Sequence, residues 1–272
     1  MQINRDLDRS GAALSLAVPV SGRVLSPASM PHESLTIDEL AIQLGRDRRE
    51  LEKLVSRGRI PGRRVDGVWR FHPAEIRIWL EQEMRGYNTA ELAAVEESQR
   101  SGAGDVLSPL QGVLSPETVQ VPLEARTRHS VLELLLEVAG RTWQIWEPAL
   151  LLPAILEREE IMSTGFETGV AIPHPRNPLP QALGASIVAY GRTLSGIPFG
   201  APKRSLTDIF FLVLCRDSRT HLGVLARLGR LLQAPGFLEE LRAAPDNSAS
   251  YETICRADAQ LDSASINPTQ IT

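Results

Sequence analysis

The chain has 272 residues, 29 Lys and Arg against 33 Asp and Glu, a formal net charge of -4 and 43% hydrophobic residues. That length allows one large domain or two ordinary ones, and the acidic balance excludes a chain that binds nucleic acid over its whole surface, so any such contact must come from a local patch. Cys215 and Cys255, the only cysteines, lack ligand spacing, which excludes a disulfide framework and a cysteine zinc site. The apolar run 12–20 is short and broken by Ser15 and Pro19, too weak for a secretory signal or a membrane span, so the expected location is the cytoplasm.

Residues 1–33, rich in Ser, Ala, Pro and Gly, are expected to form a mobile leader. From 34 to 85 the punctuation is regular. Thr36 with Glu39 makes a capping box for a helix through Ile37, Leu40, Ala41 and Leu44 that Gly45 ends. Asp47 with Glu50 opens a second helix through Leu51, Leu54 and Val55. Asp66-Gly67 between two strand-like runs predicts a hairpin. His72-Pro73 starts a third helix with Ile76, Trp79 and Leu80 on one face. Two short helices and a tight turn, followed by a hairpin and a helix, make a winged helix-turn-helix.

Between 45 and 64 stand eight basic residues against three acidic ones. Of these, Arg46, Arg48, Arg49, Lys53, Arg57, Arg63 and Arg64 are the candidate DNA contacts, reaching phosphates or base edges in a major groove. The competing reading is a solvated charged face. With Gly-Arg-Ile-Pro-Gly-Arg at 58–63 and Trp-Arg-Phe at 69–71, residues 35–84 resemble the excisionase-type winged helix-turn-helix, a relative of the MerR DNA-binding domain.

Residues 86–112 are polar and small and are expected to be a linker, helical in its first half. The second domain is expected over 113–257, with a frayed tail at 258–272. A helix is predicted from Thr127 through Val131, Leu132, Leu135 and Val138 to Gly140. Another is predicted over 146–160, where Pro153 implies a kink or a late start. The apolar runs 185–190 and 206–215 fit strands covered on both faces, and 221–232, 236–243 and 247–257 read as helices. The expected class is α/β: a small winged domain followed by a layered domain with a mixed sheet flanked by helices.

The chemistry concentrates in 163–176, Ser-Thr-Gly-Phe-Glu-Thr-Gly-Val-Ala-Ile-Pro-His-Pro-Arg. Gly165 and Gly169 permit close approach of a ligand, and Ser163 and Thr164 offer hydroxyl donors to an anion. Pro175 holds His174 out of the helical region, so an exposed imidazole is expected. Neutral imidazole is a competent nucleophile near pH 7, and phosphoryl transfer asks mainly for position and for cationic or hydrogen-bonding groups. His32, His72 and His129 read as surface or core histidines.

The run Glu-Arg-Glu-Glu-Ile-Met-Ser-Thr-Gly-Phe-Glu-Thr-Gly-Val-Ala-Ile-Pro-His at 157–174 resembles the active-site segment of phosphotransferase-system enzyme IIA domains of the fructose/mannitol type, including the nitrogen-regulatory enzyme IIA. The resemblance implies that His174 accepts a phosphoryl group from the phosphocarrier HPr. It also implies that His221, in Thr220-His221-Leu222, is the second active-site histidine and that Arg158 is the arginine ahead of the motif. Ser163, Thr164 and Gly165 are the expected phosphate-binding residues. Where the family usually has glycine after the histidine, this chain has Pro175, which removes a backbone N–H. No third ligand at usable spacing accompanies His174 and His221, so no metal and no cofactor are expected.

The expected function is that of a phosphotransferase-system regulator, in which phosphorylation of His174 alters DNA binding or protein contacts of the winged domain. HPr and DNA are its expected partners. One alternative is a transport-type carrier that passes its phosphate to an enzyme IIB. A second is a phosphorylation-silent DNA-binding or scaffold protein.

Overall fold

Local signals place the first three helices. In the computed structural model, which describes residues 34–100 and 110–266, α1 (Ile37–Leu44) is opened by Thr36, whose hydroxyl accepts the Glu39 N–H while the Glu39 carboxylate accepts the Thr36 N–H at 2.7 Å. Gly45 ends it in the left-handed region at φ 62°. Asp47 caps α2 (Arg48–Ser56) by accepting the N–H groups of Arg49 and Glu50. Strands β1 (Arg63–Val65) and β2 (Val68–Arg70) pair antiparallel, and Asp66 and Gly67 both take the positive φ that a tight hairpin turn requires. Proline opens α3 (Pro73–Glu83). Leu40, Leu44, Leu51, Val55, Ile60, Phe71, Ile76 and Leu80 close the core beneath these elements. The expected leader 1–33, with its apolar run 12–20 and His32, lies outside the described residues, as do 101–109 and 267–272.

The helix expected in the first half of the linker is present, and it packs into the fold. Helix α4 (Thr89–Arg100) buries Leu92 and Val95 and lies along α7 (Ser218–Leu232), with α1 on another side. A side chain at Gly229 of α7 would meet Leu92 at 3.0 Å, so the glycine sets how closely these helices approach. Glu96 of α4 is buried and pairs with Arg230 at 2.6 Å and with Arg227 and Arg100 at 3.1 Å each. Arg227, fully buried, also holds Asp258 at 2.6 Å and Asp262 at 2.7 Å. Both aspartates belong to α9 (Asn247–Ile266), so the frayed tail expected from 258 is corrected as far as 266. Charged residues at these positions read as solvent-facing because their partners lie far away in sequence.

The second sheet contains β3 (Val119–Gln120), β4 (Val170–Ala171), β5 (Ile187–Pro198) and β6 (Leu206–Leu214) in the order β3-β5-β6-β4. The β3/β5 and β4/β6 pairs are parallel and β5/β6 is antiparallel, which makes the sheet mixed. Side chains alternate between its faces. Val188, Tyr190, Ile209, Phe211 and Val213 join the core that also holds the winged domain's apolar residues. Ile187, Ala189, Phe210, Leu212 and Leu214 join the core that includes Val131, Leu132 and Leu135 of α5 (Arg128–Gly140) and Leu151 and Ile155 of α6 (Pro148–Ile161). Helix α8 (Phe237–Ala243) follows α7.

Two expectations shift. β5 extends well past 190, and within the extension Arg192 donates to the carbonyls of Arg242 and Ala244. α6 starts two residues later than 146 and runs on through Pro153. Among the described residues no helix is long and apolar enough to cross a membrane.

Glu96→Ala is expected to leave Arg227 and Arg230 buried without that carboxylate and to lower stability by about 3–5 kcal/mol in urea unfolding. Glu97→Ala, at an exposed neighbouring position, should change it by less than about 0.5 kcal/mol.

Candidate functional site

His174 lies in an extended segment just after β4, held to β6 by the Val213 N–H, which donates to the Pro173 carbonyl at 2.9 Å. Its Nδ1 lies 2.8 Å from the Ile172 carbonyl oxygen. A carbonyl only accepts, so Nδ1 carries the proton and Nε2 is the free nitrogen. His221 sits in the first turns of α7, whose start is fixed by Asp217 accepting the Thr220 N–H at 2.8 Å. The two rings meet edge to face with centroids 5.0 Å apart. Arg158, in the last turn of α6, donates to the Met162 carbonyl at 2.7 Å. It lines, with His174 and Thr164, a cavity of about 190 Å³.

The exposed imidazole expected from Pro175 is not what the structure holds. His174 is 4% exposed and His221 is equally buried. The cover comes from α3 of the winged domain. The Glu81 carboxylate reaches between the rings, with Oε1 at 3.1 Å from His221 Nε2 and Oε2 at 3.4 Å from His174 Nε2. One turn earlier, Arg77 donates to the Arg176 carbonyl at 3.0 Å, to Ser218 Oγ at 3.1 Å and to Asn177 Oδ1. Just past the end of α3, Arg85 donates to the Gly165 carbonyl at 2.9 Å and stacks over the Phe166 ring at 4.7 Å.

Sequence reasoning missed Arg77, Glu81 and Arg85. The available signal is their four-residue spacing on one helical row, which reads equally well as a solvated face.

Of the expected phosphate-binding residues, Thr164 alone lines the cavity beside His174. Its N–H and hydroxyl both donate to the buried Glu159 carboxylate, a residue the sequence did not single out. The Ser163 hydroxyl donates to the Phe199 carbonyl at 2.9 Å and accepts the Gly165 N–H at 3.1 Å, so these two residues shape the turn. Burial pushes the Glu159 carboxyl up, opposed by the hydrogen bonds from Thr164.

Burial also pushes the His174 imidazole below its ordinary value, outweighing the contact with Glu81 that favours its charged form, so the resting ring is neutral. Burial alone would raise the Glu81 carboxyl. The hydrogen bond from His221 opposes it, and the group lies below the usual carboxylate range. At 3.1 Å the contact to His221 is an ordinary hydrogen bond, whereas 3.4 Å to His174 is longer than one, as fits an Nε2 without a proton.

Glu81, His174 and His221 place one ligand atom each within 4.8 Å of one another, so a third metal-capable group does stand beside the histidine pair. It comes from a different domain, which is why no spacing around the histidines reveals it. Without an ion, the Glu81 carboxylate is held by the hydrogen bond from His221 Nε2 and lies against the His174 ring.

The structure divides the candidate DNA contacts. Arg46 turns toward α4, pairing with Glu50 at 3.0 Å and Glu91 at 3.9 Å and lying over the Tyr87 ring. Arg48 is held by Asp38 at 2.7 Å and Glu52 at 2.9 Å. Arg49, Lys53 and Arg57 form one exposed row, four residues apart along α2, beside a shallow groove. On the wing, Arg63 pairs loosely with Glu75 at 3.3 Å, and Arg64 lies over the Trp69 ring.

A helix-turn-helix domain model matches residues 34–84. The nitrogen regulatory protein of Escherichia coli (strain K12) is 27% identical over 162 residues, which is 59% of this chain and 98% of that protein. The fructose-specific EIIABC component of the phosphotransferase system from Bacillus subtilis (strain 168) is 24% identical over 148 residues, 54% of this chain and 23% of that protein. Among solved structures, nitrogen regulatory protein IIA-Ntr from Neisseria meningitidis aligns with a TM-score of 0.47 at 21% identity, covering 52% of this chain and 96% of that one. The model of the phosphoenolpyruvate-dependent sugar phosphotransferase system, EIIA 2, matches residues 112–256, more than half of the 272, and the chain belongs to that family.

Proposed function

We propose that this protein is a phosphotransferase-system regulator in which His174 Nε2 accepts a phosphoryl group from phosphorylated HPr and the winged domain reads the outcome. The observation that carries this reading is the direct contact of Glu81, on a helix of the winged domain, with both histidines. Chemistry at His174 cannot proceed without touching the module that would bind DNA.

The neutral imidazole, oriented by its Nδ1–H on the Ile172 carbonyl, attacks phosphorus through Nε2, while the electron pair of the breaking N–P bond returns to the imidazole of HPr. Arg158 supplies a guanidinium that matches phosphoryl oxygens, and His221 supplies a second hydrogen-bonding ring. Pro175 costs the site one backbone N–H, which these side chains offset.

DNA is engaged through Arg49, Lys53 and Arg57 of α2 with Arg63 and Arg64 of the wing, and the protein works in the cytoplasm, where HPr is found. The nitrogen regulatory relatives favour a regulatory role. A transport-type carrier serving an enzyme IIB is the second reading, supported by the fructose-specific relative.

Incubation with phosphorylated HPr should place phosphohistidine on the His174 peptide, read by mass spectrometry, and His174→Ala should abolish it. An unmodified wild type, under conditions that label a reference enzyme IIA, would count against the reading. For DNA, Arg49→Ala, Lys53→Ala and Arg57→Ala should each weaken binding across sequences and reduce the slope of log affinity against log salt by about 1. Arg46→Ala should leave that slope unchanged, since its charge is already spent on Glu50, Glu91 and Tyr87.

A further inference from the structure

We propose that Glu81 is a built-in stand-in for the phosphoryl group, so that α3 competes with HPr for His174 and is expelled when His174 is phosphorylated. This rests on the reading of His174 as the phosphoacceptor.

Three contacts from one row of residues support it. Arg77, Glu81 and Arg85 follow at four-residue intervals, and all three engage the enzyme IIA domain around His174. The Glu81 carboxylate, an anion with two oxygens, spans both ring nitrogens, at 3.1 and 3.4 Å. A phosphorus bonded to His174 Nε2, with its oxygens turned to His221, needs that same space. While Glu81 holds it, a phosphohistidine donor cannot bring its phosphorus in line with Nε2, and the 4% exposure of His174 measures the closure.

Transfer moves PO₃ as a unit. The donor's N–P bond breaks with its electron pair returning to the donor imidazole, an N–P bond forms on Nε2, and the His174 ring, which keeps its Nδ1 proton hydrogen-bonded to the Ile172 carbonyl, takes up one positive charge. The phosphoryl oxygens carry about 1.5 to 2 negative charges and face the Glu81 carboxylate in a site shielded from water, where like charges repel strongly. Arg85 and Arg158, each donating to a backbone carbonyl and each lining the adjoining cavity, are the cations positioned to receive phosphoryl oxygens. Linkage makes the effect reciprocal: docking of α3 disfavours phosphorylation by the same factor as phosphorylation disfavours docking.

The experiment follows HPr-dependent phosphorylation of full-length wild type, Glu81→Ala and Arg77→Ala at subsaturating phosphorylated HPr, alongside hydrogen exchange of residues 73–85 before and after phosphorylation of the wild type. The expected result is labelling about tenfold or more faster in both variants, and faster exchange of the α3 peptide in the phosphorylated wild type. Equal labelling rates in all three chains, with α3 exchange unchanged by phosphorylation, would overturn the proposal while leaving His174 as the acceptor. If no chain is labelled, the phosphoacceptor reading falls and this one with it. Arg77→Ala loosens the same row from outside the histidine pair, so misfolding of Glu81→Ala alone would not remove the test.

Discussion

A single carboxylate, that of Glu81, lies between two imidazoles from another domain, and the arrangement of the molecule turns on it. Burying a charge costs several kcal/mol unless it is paired and hydrogen-bonded. Glu81 meets that requirement only when α3 is docked against the histidines, with Arg77 Nε also at 3.7 Å. The histidines in turn are covered by α3 through Glu81. Each side makes the other's placement tolerable, which ties the state of the His174 ring to the position of a helix of the winged domain.

Two attachments of different strength join that domain to the enzyme IIA domain. Along α4 and α7, Glu96, Arg227, Arg230 and Asp258 are all buried, with contacts of 2.6 to 3.1 Å that no charge change at His174 reaches directly. At α3, the Glu81 contacts to the histidines are longer, at 3.1 and 3.4 Å. Under the proposed phosphorylation of His174, the first would keep the domains together and the second would be the one released. A tether that holds while a nearby contact opens is what a two-state element needs if modification is to shift its population without dissociating it.

Much of this was legible in the sequence, and the parts that were not share one cause. Capping at Thr36 and Asp47, the Asp66-Gly67 turn, the proline start of α3 and the strand core at 206–214 all depend on neighbours within a few residues. The pairing of His174 with His221 and Arg158 was readable because the motif resembles a family's active-site segment. The packing of the helix in the expected linker against α7, the extension of α9 and the cover over His174 were not readable. Each depends on a charged residue, Glu96, Asp258 or Glu81, whose partner lies in a distant element. Charge in a local window signals solvent, and only the fold shows that the counter-charge is buried beside it.

The same geometry fixes how the basic row on α2 is coupled to His174. The row Arg49, Lys53 and Arg57 is exposed while α3 is docked, so the closed state does not mask these side chains. Ile76 and Leu80 of α3 share one core with Leu51 and Val55 of α2. Interiors packed to that density shift as units rather than deform. The same core takes in Leu92 and Val95 of α4 and Val188 and Phe211 of the sheet, so a displacement of α3 is shared with α2 and the wing and opposed by α4 and the sheet. A change at His174 therefore meets the winged domain as one part of a continuous core, and any response of the basic row on α2 has to pass through that core.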